Sequence, residues 1–257
     1  MHFQTLNLSA HGIEWRITLQ RTTARNSINT LMLQELHEVL RLAANDESCR
    51  LIVLRGEQGY FCTGMDFTEL VNSDQKAQAD FSEQYMQLLK IFAATDKIII
   101  SVLDGQVLAG GMGLVAASDL VLSTSQSQFG LSEALWGLLP ACVLPYLIRR
   151  VGFQKAYYLT LTTQTITAER AYQIGLIDEL HDDIETALQR LSVRLGRVSA
   201  QTVKDLKAYM QKMWIMNETM EVTALNELRR LSGSETVQKN ISNFLEFQRF
   251  PWENVEG

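Results

Sequence analysis

The chain has 257 residues, of which 46% are hydrophobic and 20% are charged, as is typical of a soluble globular protein with a full core. Its 23 basic and 29 acidic residues give a formal net charge of −6, and no run of lysine and arginine occurs, so a nucleic-acid partner is not expected. The cysteines form neither a CxxC pair nor a cluster with histidine, so the sequence indicates no disulfide framework and no metal site.

Two features exclude a targeting or membrane role. The N-terminal segment MHFQTLNLS lacks the basic stretch and following apolar stretch of a signal peptide. The apolar run around residues 107–117 is too short and too rich in glycine to span a bilayer. The sequence therefore predicts a soluble, cytoplasmic protein without a membrane partner.

The first half of the chain alternates predicted strands with predicted helices. A polar loop over residues 21–29 separates the first strand from a helix that ends near Ala44. Continuous apolar runs over residues 50–56 and 97–103 predict strands that are buried on both faces. The first strand is predicted from apolar residues that alternate with polar ones: Ile13, Trp15, Ile17 and Leu19.

Two further strands are predicted at residues 120–122 and 128–130. Between the buried strands, Phe81, Tyr85 and Phe92 are spaced as on one face of a helix, and we interpret them as core residues rather than a ligand site. Repeated strand–helix units of this kind predict an α/β fold with parallel strands.

The second half of the chain is predicted to be mainly helical. Strand signals fade from Ser132 onward, and beyond Ile184 the chain has the pattern of helices only, through to Gln248. No glycine- and serine-rich linker separates the two halves. We therefore divide the chain into a core of residues 1–190 and an appended C-terminal helical region of residues 191–257.

The most informative stretch is residues 104–122, with the sequence DGQVLAGGMGLVAASDLVL. It passes from a strand end through a second corner, residues 109–111, into an apolar helix. Two adjacent glycines allow a backbone to approach a ligand where any Cβ would clash. The helix start also directs free N–H groups and the positive end of its dipole past the glycines. The alternative is a glycine turn that serves close packing alone.

A first corner lies earlier in the chain, at residues 61–67, with the sequence FCTGMDF. It also follows a strand, contains a glycine and opens a helix. Two such corners, each presenting a backbone amide, are what an oxyanion hole requires. The pair therefore favours a site that stabilises developing negative charge.

The motifs together resemble the crotonase (enoyl-CoA hydratase/isomerase) superfamily nearly end to end. The resemblance is carried by the segments FCTGMDF, DGQVLAGGMGL, SDLVL, QFGLSEALWGLLP and TITAERAYQIGLIDEL. It implies an α/β spiral of repeated β-β-α turns with a C-terminal helical region. It also implies oligomerisation through that region, as a homotrimer or as a hexamer formed by two trimers.

The run LSEALWGLLPACVLPYLIRRVGFQKAYYLTL and the ending FPWE resemble one branch of the superfamily, the enoyl-CoA hydratase-like proteins of polyketide β-branching cassettes. By resemblance, these dehydrate 3-hydroxy-3-methylglutaryl-ACP to 3-methylglutaconyl-ACP. The resemblance implies an acyl carrier protein as the partner. It also implies a substrate carried on phosphopantetheine and no separate cofactor, with CoA as the alternative carrier of the acyl group.

The resemblance also implies roles for individual residues. The family pattern places the oxyanion donors on the backbone N–H groups of Met65 and Gly110. Of the two acid/base glutamates of typical hydratases, one falls on Glu133 and the other position holds Gly113. A single remaining carboxylate puts reversible hydration by the two-glutamate route in doubt, whereas elimination with one base is still allowed. Without the flanking motifs, Glu133 reads as a helix-capping or surface carboxylate.

We also expect five residues to contact the substrate. Asp66 opens a helix, so a capping role ranks above a chemical one. Trp136 is interpreted as lining an acyl pocket, with a core position as the alternative. A thiol without a neighbouring histidine is expected to line the pocket rather than to act as a nucleophile. The five residues are Asp66, Gly64, Gly111, Trp136 and Cys142.

Two other functions stay open at this point. One is a catabolic hydratase or isomerase acting on CoA thioesters, which Gly113 argues against. The other is a non-catalytic scaffold, which Glu133 and the two corners argue against. No basic residue falls inside the two corners or the segment QFGLSEALWGLLP to hold a substrate carboxylate. The basic residues considered for carrier docking are Arg21, Arg25, Arg149, Arg150, Lys155, Arg194, Arg197, Lys204 and Lys207.

Overall fold

The computed structural model of the protein describes residues 3–214 and 217–254. Strands and helices of the described part of the chain are numbered separately, each in chain order. The strands are β1 (Leu6–His11), β2 (Glu14–Leu19), β3 (Leu51–Arg55), β4 (Tyr60–Cys62), β5 (Ile98–Leu103), β6 (Gln106–Leu108), β7 (Leu120–Ser123), β8 (Gln128–Gly130), β9 (Ile166–Thr167) and β10 (Glu179–Leu180). The helices are α1 (Thr30–Ala44), α2 (Phe67–Asn72), α3 (Gln75–Ala94), α4 (Gly110–Ala117), α5 (Leu144–Val151), α6 (Phe153–Thr162), α7 (Ala168–Gln173), α8 (Ile184–Leu195), α9 (Ala200–Met213), α10 (Glu218–Ser232) and α11 (Glu235–Phe247).

The strands form two sheets that the chain visits in turn. The six-stranded sheet has the order β1-β2-β3-β5-β7-β10, and the four-stranded sheet has the order β4-β6-β8-β9. Each turn of the spiral adds one strand to each sheet: β3 then β4, β5 then β6, β7 then β8. Neighbouring strands are parallel except for the β1–β2 and β8–β9 pairs. This arrangement confirms the predicted α/β spiral of β-β-α turns.

The two buried strands are covered on both faces, as their continuous apolar runs predict. Side chains alternate between the faces of a strand. Ile52 and Leu54 of β3 accordingly join the main core with α1 and α3. Leu51 and Val53 join a second cluster with Ile184, Leu188 and Val203 of α8 and α9. The C-terminal helices therefore supply the second cover of the six-stranded sheet.

Several short strands in the described chain are not predicted from the sequence, among them β1, β4, β6 and β9. β1 pairs with β2 in an antiparallel hairpin in which Leu6 lies opposite Leu19, and its Leu6/Leu8 alternation is too short to predict a strand. β4 and β6 are three residues long and lead directly into the two corners. Such short strands carry too few residues for a period of two to stand out.

Beyond Ile184 the described chain is helical, with a short 3-10 helix at Pro251–Asn254 after α11. This confirms the predicted helical half. The boundary drawn between residues 190 and 191 falls inside α8, and the assignment of the last segment as an oligomerisation region stays a prediction. None of the described helices is both long enough and apolar enough to cross a lipid bilayer.

The last helices return to the spiral core and reach the two corners. α10 packs along α3, whereas α11 packs against α2 and against a 3-10 helix at Glu133–Trp136. Val237 and Ile241 of α11 are buried with Leu70 and Trp136. The C-terminal region thus forms one wall of the space in front of both corners.

Candidate active site

A cleft of about 460 Å3 opens between the two corners, the 3-10 helix at Glu133–Trp136 and the helices α10 and α11. That volume lies within the roughly 300–1,000 Å3 range of small-molecule sites. Most of the lining side chains are apolar. The polar residues that line it are Ser27, Thr63, Asp66, Thr68, Tyr85, Ser132 and Glu133.

The two corners lie against each other through their glycines. A Cβ built on Gly64 would lie 2.6 Å from the Cβ of Ala109 and 3.1 Å from the backbone nitrogen of Gly110. Gly64 also has a φ of +91°, a conformation that other residues adopt with strain. Only glycine at position 64 therefore allows the first corner to approach the second this closely.

The backbone around Met65 is held by hydrogen bonds on both sides. The Ile28 N–H donates to the Gly64 carbonyl over 2.7 Å, and the Asp66 N–H donates to the Ile28 carbonyl over 2.9 Å. Within residues 3–214 and 217–254, no hydrogen-bond acceptor is present for the N–H groups of Met65 and Gly110. Both residues line the cleft. Two uncommitted donors on adjoining corners are the arrangement that an oxyanion hole needs.

The strained residue of the second corner is an alanine. Ala109 has φ +48° and ψ −120°, whereas neither Gly110 nor Gly111 has a positive φ. Such a conformation costs a non-glycine residue about 1–3 kcal/mol. Gly111 is needed for a different reason, because its Cβ would lie 2.3 Å from the Cys62 carbonyl oxygen. Gly64 and Gly111, both predicted to bind substrate, lie behind the cleft wall and serve this packing.

Glu133 is the first residue of its 3-10 helix, and it lines the cleft. Its Oε2 atom is buried and has no hydrogen-bond partner in the described chain. Burial raises the pKa of Glu133 to about 7, although hydrogen bonds from the Glu133 and Ser132 backbones lower it. A carboxyl group with this pKa exists in both protonation states at neutral pH, as acid–base catalysis requires.

The position of the second family glutamate holds Gly113, and the space beside it is filled by Tyr85. A Cβ built on Gly113 would lie 2.0 Å from the Tyr85 hydroxyl oxygen. That hydroxyl donates a hydrogen bond to the Gly110 carbonyl. Tyr85 is 7% exposed, as a core residue would be, yet it also lines the cleft. Its helical spacing gave no signal that distinguished it from its core neighbours.

Trp136 closes one part of the cleft together with aromatic neighbours. Its ring meets those of Phe67 and Phe244 edge-on, with centroids 5.3 and 5.0 Å apart. Trp136 is 6% exposed and lines the cleft. Both interpretations of the sequence, a core residue and a pocket wall, therefore apply to it.

Comparison with known proteins agrees with this geometry. Residues 11–255 match the enoyl-CoA hydratase/isomerase family. The bacillaene synthase dehydratase PksH of Bacillus subtilis (strain 168) is 33% identical over 98% of both chains. The 2,3-dehydroadipyl-CoA hydratase of Escherichia coli (strain K12) is 30% identical over 90% of this chain and 91% of its own.

The chain belongs to the enoyl-CoA hydratase/isomerase family. A crystal structure of the polyketide biosynthesis enoyl-CoA hydratase pksH from Bacillus subtilis superimposes with a TM-score of 0.88 at 31% identity, over 97% of this chain and 100% of the other. The resemblance stated from the motifs is confirmed. The protein is a hydratase or dehydratase enzyme of this family.

Asp66 has a structural role in this family member. Its side chain accepts a hydrogen bond from the Thr68 N–H at the start of α2 and lies 2.8 Å from the Arg21 guanidinium. Burial raises the pKa of Asp66, but the hydrogen bond and the charge of Arg21, together with backbone hydrogen bonds from Thr68 and Glu69, outweigh it and lower the pKa below its ordinary value. Asp66 is therefore ionised at neutral pH, and it caps α2 while lining the cleft.

Cys142 also lines the cleft and is buried. Burial raises the pKa of its thiol to about 12. The neutral thiol is a poor nucleophile because the thiolate is the reactive form. Cys142 is thus part of the apolar wall, as the absence of a nearby histidine indicated.

Four of the nine basic residues considered for carrier docking are committed to contacts inside the protein. The Lys207 ammonium lies 2.6 Å from Asp119, and Arg21 pairs with Asp66. The arginines of α5 hold the end of α4 and the loop after it, Arg149 through the Ala116 carbonyl and Arg150 through the Ser118 carbonyl. The docking role considered for these four stays a prediction. Arg149 is nevertheless exposed, as are Arg25, Lys155, Arg194, Arg197 and Lys204.

Proposed function

We propose that the enzyme dehydrates 3-hydroxy-3-methylglutaryl-ACP to 3-methylglutaconyl-ACP in polyketide β-branching. The observation that carries the proposal is Glu133, a cleft carboxyl group whose free oxygen is buried and unpaired, while Gly113 stands at the second glutamate position. A single carboxyl group is enough for elimination, because one group can accept the first proton and then return it. Similarity to a bacillaene synthase dehydratase supports the same reaction.

The reaction begins with the substrate's thioester oxygen at the two backbone donors, Met65 and Gly110. The Glu133 carboxylate removes a proton from C2, and the electron pair of that C–H bond moves into the thioester as an enolate. Loss of one oxyanion donor typically costs about 3–4 kcal/mol of transition-state stabilisation, so both amides matter for forming this weakly acidic carbon's enolate.

Elimination completes the step. The enolate electrons form the C2–C3 double bond while the bond from C3 to its hydroxyl breaks. The carboxylic acid form of Glu133 gives its proton to the departing hydroxyl, and water leaves. Glu133 returns to its starting charge, so the balanced reaction needs no other reactant and no separate cofactor.

The substrate's free carboxylate has no cationic partner in the cleft as described, because no lysine, arginine or histidine lines it. We infer that hydroxyl groups hold this carboxylate instead. Ser27, Thr63, Thr68 and Ser132 are the lining residues with hydroxyl donors besides Tyr85. A hydroxyl-bound carboxylate keeps its charge away from Glu133 without neutralising the base.

The carrier protein is proposed to dock beside the first corner. The backbone carbonyl of the exposed Arg25 accepts a hydrogen bond from Thr63, a residue of the cleft lining, over 3.1 Å. A cation at this edge suits the acidic helix of a carrier protein. The proposal also includes a homotrimer or hexamer and a cytoplasmic location, which suits the three free, buried cysteines.

A catabolic hydratase or isomerase acting on a CoA thioester is the second candidate. The 30% identity to 2,3-dehydroadipyl-CoA hydratase, whose name includes a dicarboxylic acyl group, favours it. Gly113 argues against it, since the family pattern for hydration uses two glutamates. A non-catalytic scaffold has the weakest support, because it would not require an unpaired buried carboxyl group.

The test is a side-by-side assay of HMG-ACP and HMG-CoA by intact-mass spectrometry across a salt series. We expect higher kcat/KM for the carrier-bound substrate, with an advantage that added salt erodes because charged docking is screened. Arg25→Glu is expected to reduce turnover of the ACP substrate only, whereas Lys204→Glu on α9 serves as the matched control. Equal or better turnover of HMG-CoA, without a salt effect, would transfer the assignment to the catabolic candidate.

A further inference from the structure

The Tyr85 hydroxyl lies where a side chain at position 113 would begin. A Cβ on Gly113 would be 2.0 Å from this oxygen and 3.1 Å from Cγ2 of Val143. Contacts under 3 Å force atoms to move, and the tyrosine ring is held by buried neighbours on α3. Tyr85 in its present position and a side chain at position 113 therefore exclude each other.

The same hydroxyl is joined to the second corner. It donates a hydrogen bond to the Gly110 carbonyl, so it contacts the residue whose N–H is one of the two uncommitted donors. Gly110 is the first residue of α4, where no preceding turn of the helix restrains it. Ala109 before it has a strained backbone. The hydrogen bond from Tyr85 on α3 restrains Gly110 itself, in addition to the bond from the Ala109 N–H to the Gly130 carbonyl.

We propose that Tyr85 is a positioning residue that holds the Gly110 donor in place and, by filling the space beside Gly113, commits the cleft to chemistry with a single carboxylate. The catalytic part of this inference rests on the proposed thioester reaction. The steric part rests on the protein alone.

A role for Tyr85 as a proton donor does not fit its surroundings. Burial raises the pKa of the Tyr85 phenol well above its ordinary value of 10. Burial also raises the pKa of Glu133, but only to about 7, so protonated Glu133 is much the stronger acid. Tyr85 therefore stays protonated and keeps its hydrogen bond, while Glu133 carries the protons.

The first experiment compares the wild type with Tyr85→Phe, which keeps the ring and removes the hydroxyl. We expect kcat for HMG-ACP to fall on the order of tenfold, since a loosened donor loses part of its stabilisation. KM should stay within about twofold, and the pH midpoint of the reaction should not move. Tyr158→Phe is the matched control, because that hydroxyl is exposed on α6 and contacts Gln164.

A spectroscopic readout reports on the oxyanion donors without turnover. Butyryl-pantetheine labelled with 13C at the thioester carbonyl lacks a C3 hydroxyl and cannot be dehydrated. Its carbonyl stretch should move to lower frequency when bound to the wild type, and by a clearly smaller amount when bound to Tyr85→Phe. If Tyr85→Phe has the same bound carbonyl frequency and the same kcat as the wild type, Tyr85 serves packing only. A moved pH midpoint would make it a proton donor. Either result would overturn the positioning role.

The second experiment needs no substrate, so it separates a failure of this inference from a failure of the proposed function. Gly113→Ala is expected to lower the midpoint of thermal unfolding clearly in the wild type. In the Tyr85→Phe background the loss should be much smaller, because the nearest ring carbon of Tyr85, Cζ, lies 3.2 Å from the added Cβ. Equal losses in the two backgrounds would show that the hydroxyl does not occupy the space beside Gly113, and would overturn the steric part.

Discussion

Gly64 and Gly110 bring the two corners together backbone against backbone, because a Cβ added to Gly64 would lie only 3.1 Å from the backbone nitrogen of Gly110. Residues far apart in the chain thereby place the Met65 and Gly110 amides on one side of a single cleft. The contact depends on neither corner alone. Substitutions in the glycines should consequently separate the effects on packing from those on catalysis.

Gly111→Ala should destabilise the protein, whereas Gly110→Ala should fold normally. The new methyl group at position 111 would lie 2.3 Å from the Cys62 carbonyl oxygen, which is backbone and cannot move aside. Overpacking of this kind typically costs about 1–3 kcal/mol. At position 110 the nearest atom would lie 3.4 Å away, an ordinary contact. Urea unfolding of both variants checks the difference, and equal midpoints would contradict it.

The activity of the enzyme should depend on the ionisation of Glu133. Since burial raises the pKa of this group to about 7 and the base form is the carboxylate, the rate should rise with pH and level off above that value. Glu133→Gln should lose about 100-fold or more of kcat, because an amide cannot accept the C2 proton. The checks are a pH–rate profile and single-turnover kinetics.

The matched control for that variant is Glu246→Gln, since Glu246 is exposed on α11, beside the cleft residue Leu245. It should keep wild-type turnover at every pH. Near-normal turnover of a folded Glu133→Gln protein would exclude Glu133 as the base.

Glu133→Gln should also change how stability depends on pH. The pKa of Glu133 is raised from 4.5 to about 7 in the folded protein, mainly by burial, so the folded state holds this proton more tightly than the unfolded state. The group's stabilising contribution is therefore complete below pH 4.5, falls as pH rises toward 7 and is absent above it. Between pH 4.5 and pH 7, the free energy of unfolding of the glutamine variant should rise relative to that of the wild type by up to about 3 kcal/mol. Urea unfolding at pH 5 and pH 8 measures this, and a constant difference would contradict the raised pKa.

Trp136→Ala should enlarge the cleft and weaken the fold. Truncating a buried tryptophan costs about 3–5 kcal/mol, and the space left between Phe67 and Phe244 should admit longer acyl chains. Trp252→Ala is the control, because Trp252 stacks on Phe250 but is 52% exposed. Thermal unfolding and kcat/KM for short and long 3-hydroxyacyl thioesters check both effects. If the variant keeps the wild-type chain-length preference, Trp136 does not line the acyl pocket.

The predicted trimer should depend on exposed apolar side chains. Leu188 of α8 is buried in the protein's own core, whereas Leu206, Met210 and Met213 of α9 are more than half exposed. Met210→Glu should therefore lower the mass measured by light scattering at micromolar concentration. Leu161 of α6 is 66% exposed and provides the comparison. A mass change with Leu161→Glu alone would move the interface to α6, and a monomeric wild type would contradict the trimer.

The sequence by itself determined the elements with strong local patterns. The carboxyl group of the cleft, Glu133, is indicated by the family resemblance. The apolar runs predict β3 and β5, and the glycine corners predict the starts of α2 and α4. These features depend on periodicity and on residues that only certain backbones tolerate. Both kinds of information are contained in a few consecutive residues.

Only the tertiary structure decided which distant groups meet. It joined Tyr85 on α3 to Gly110 and to the space beside Gly113, and it paired Lys207 with Asp119 inside the protein. It also raised the pKa of Glu133 by burying the carboxyl group. Each of these depends on distance and desolvation between segments far apart in the chain. The local sequence around Tyr85, Lys207 and Glu133 is equally compatible with a core tyrosine, an exposed lysine and a glutamate of ordinary pKa. Tertiary packing alone determines the environment of each side chain.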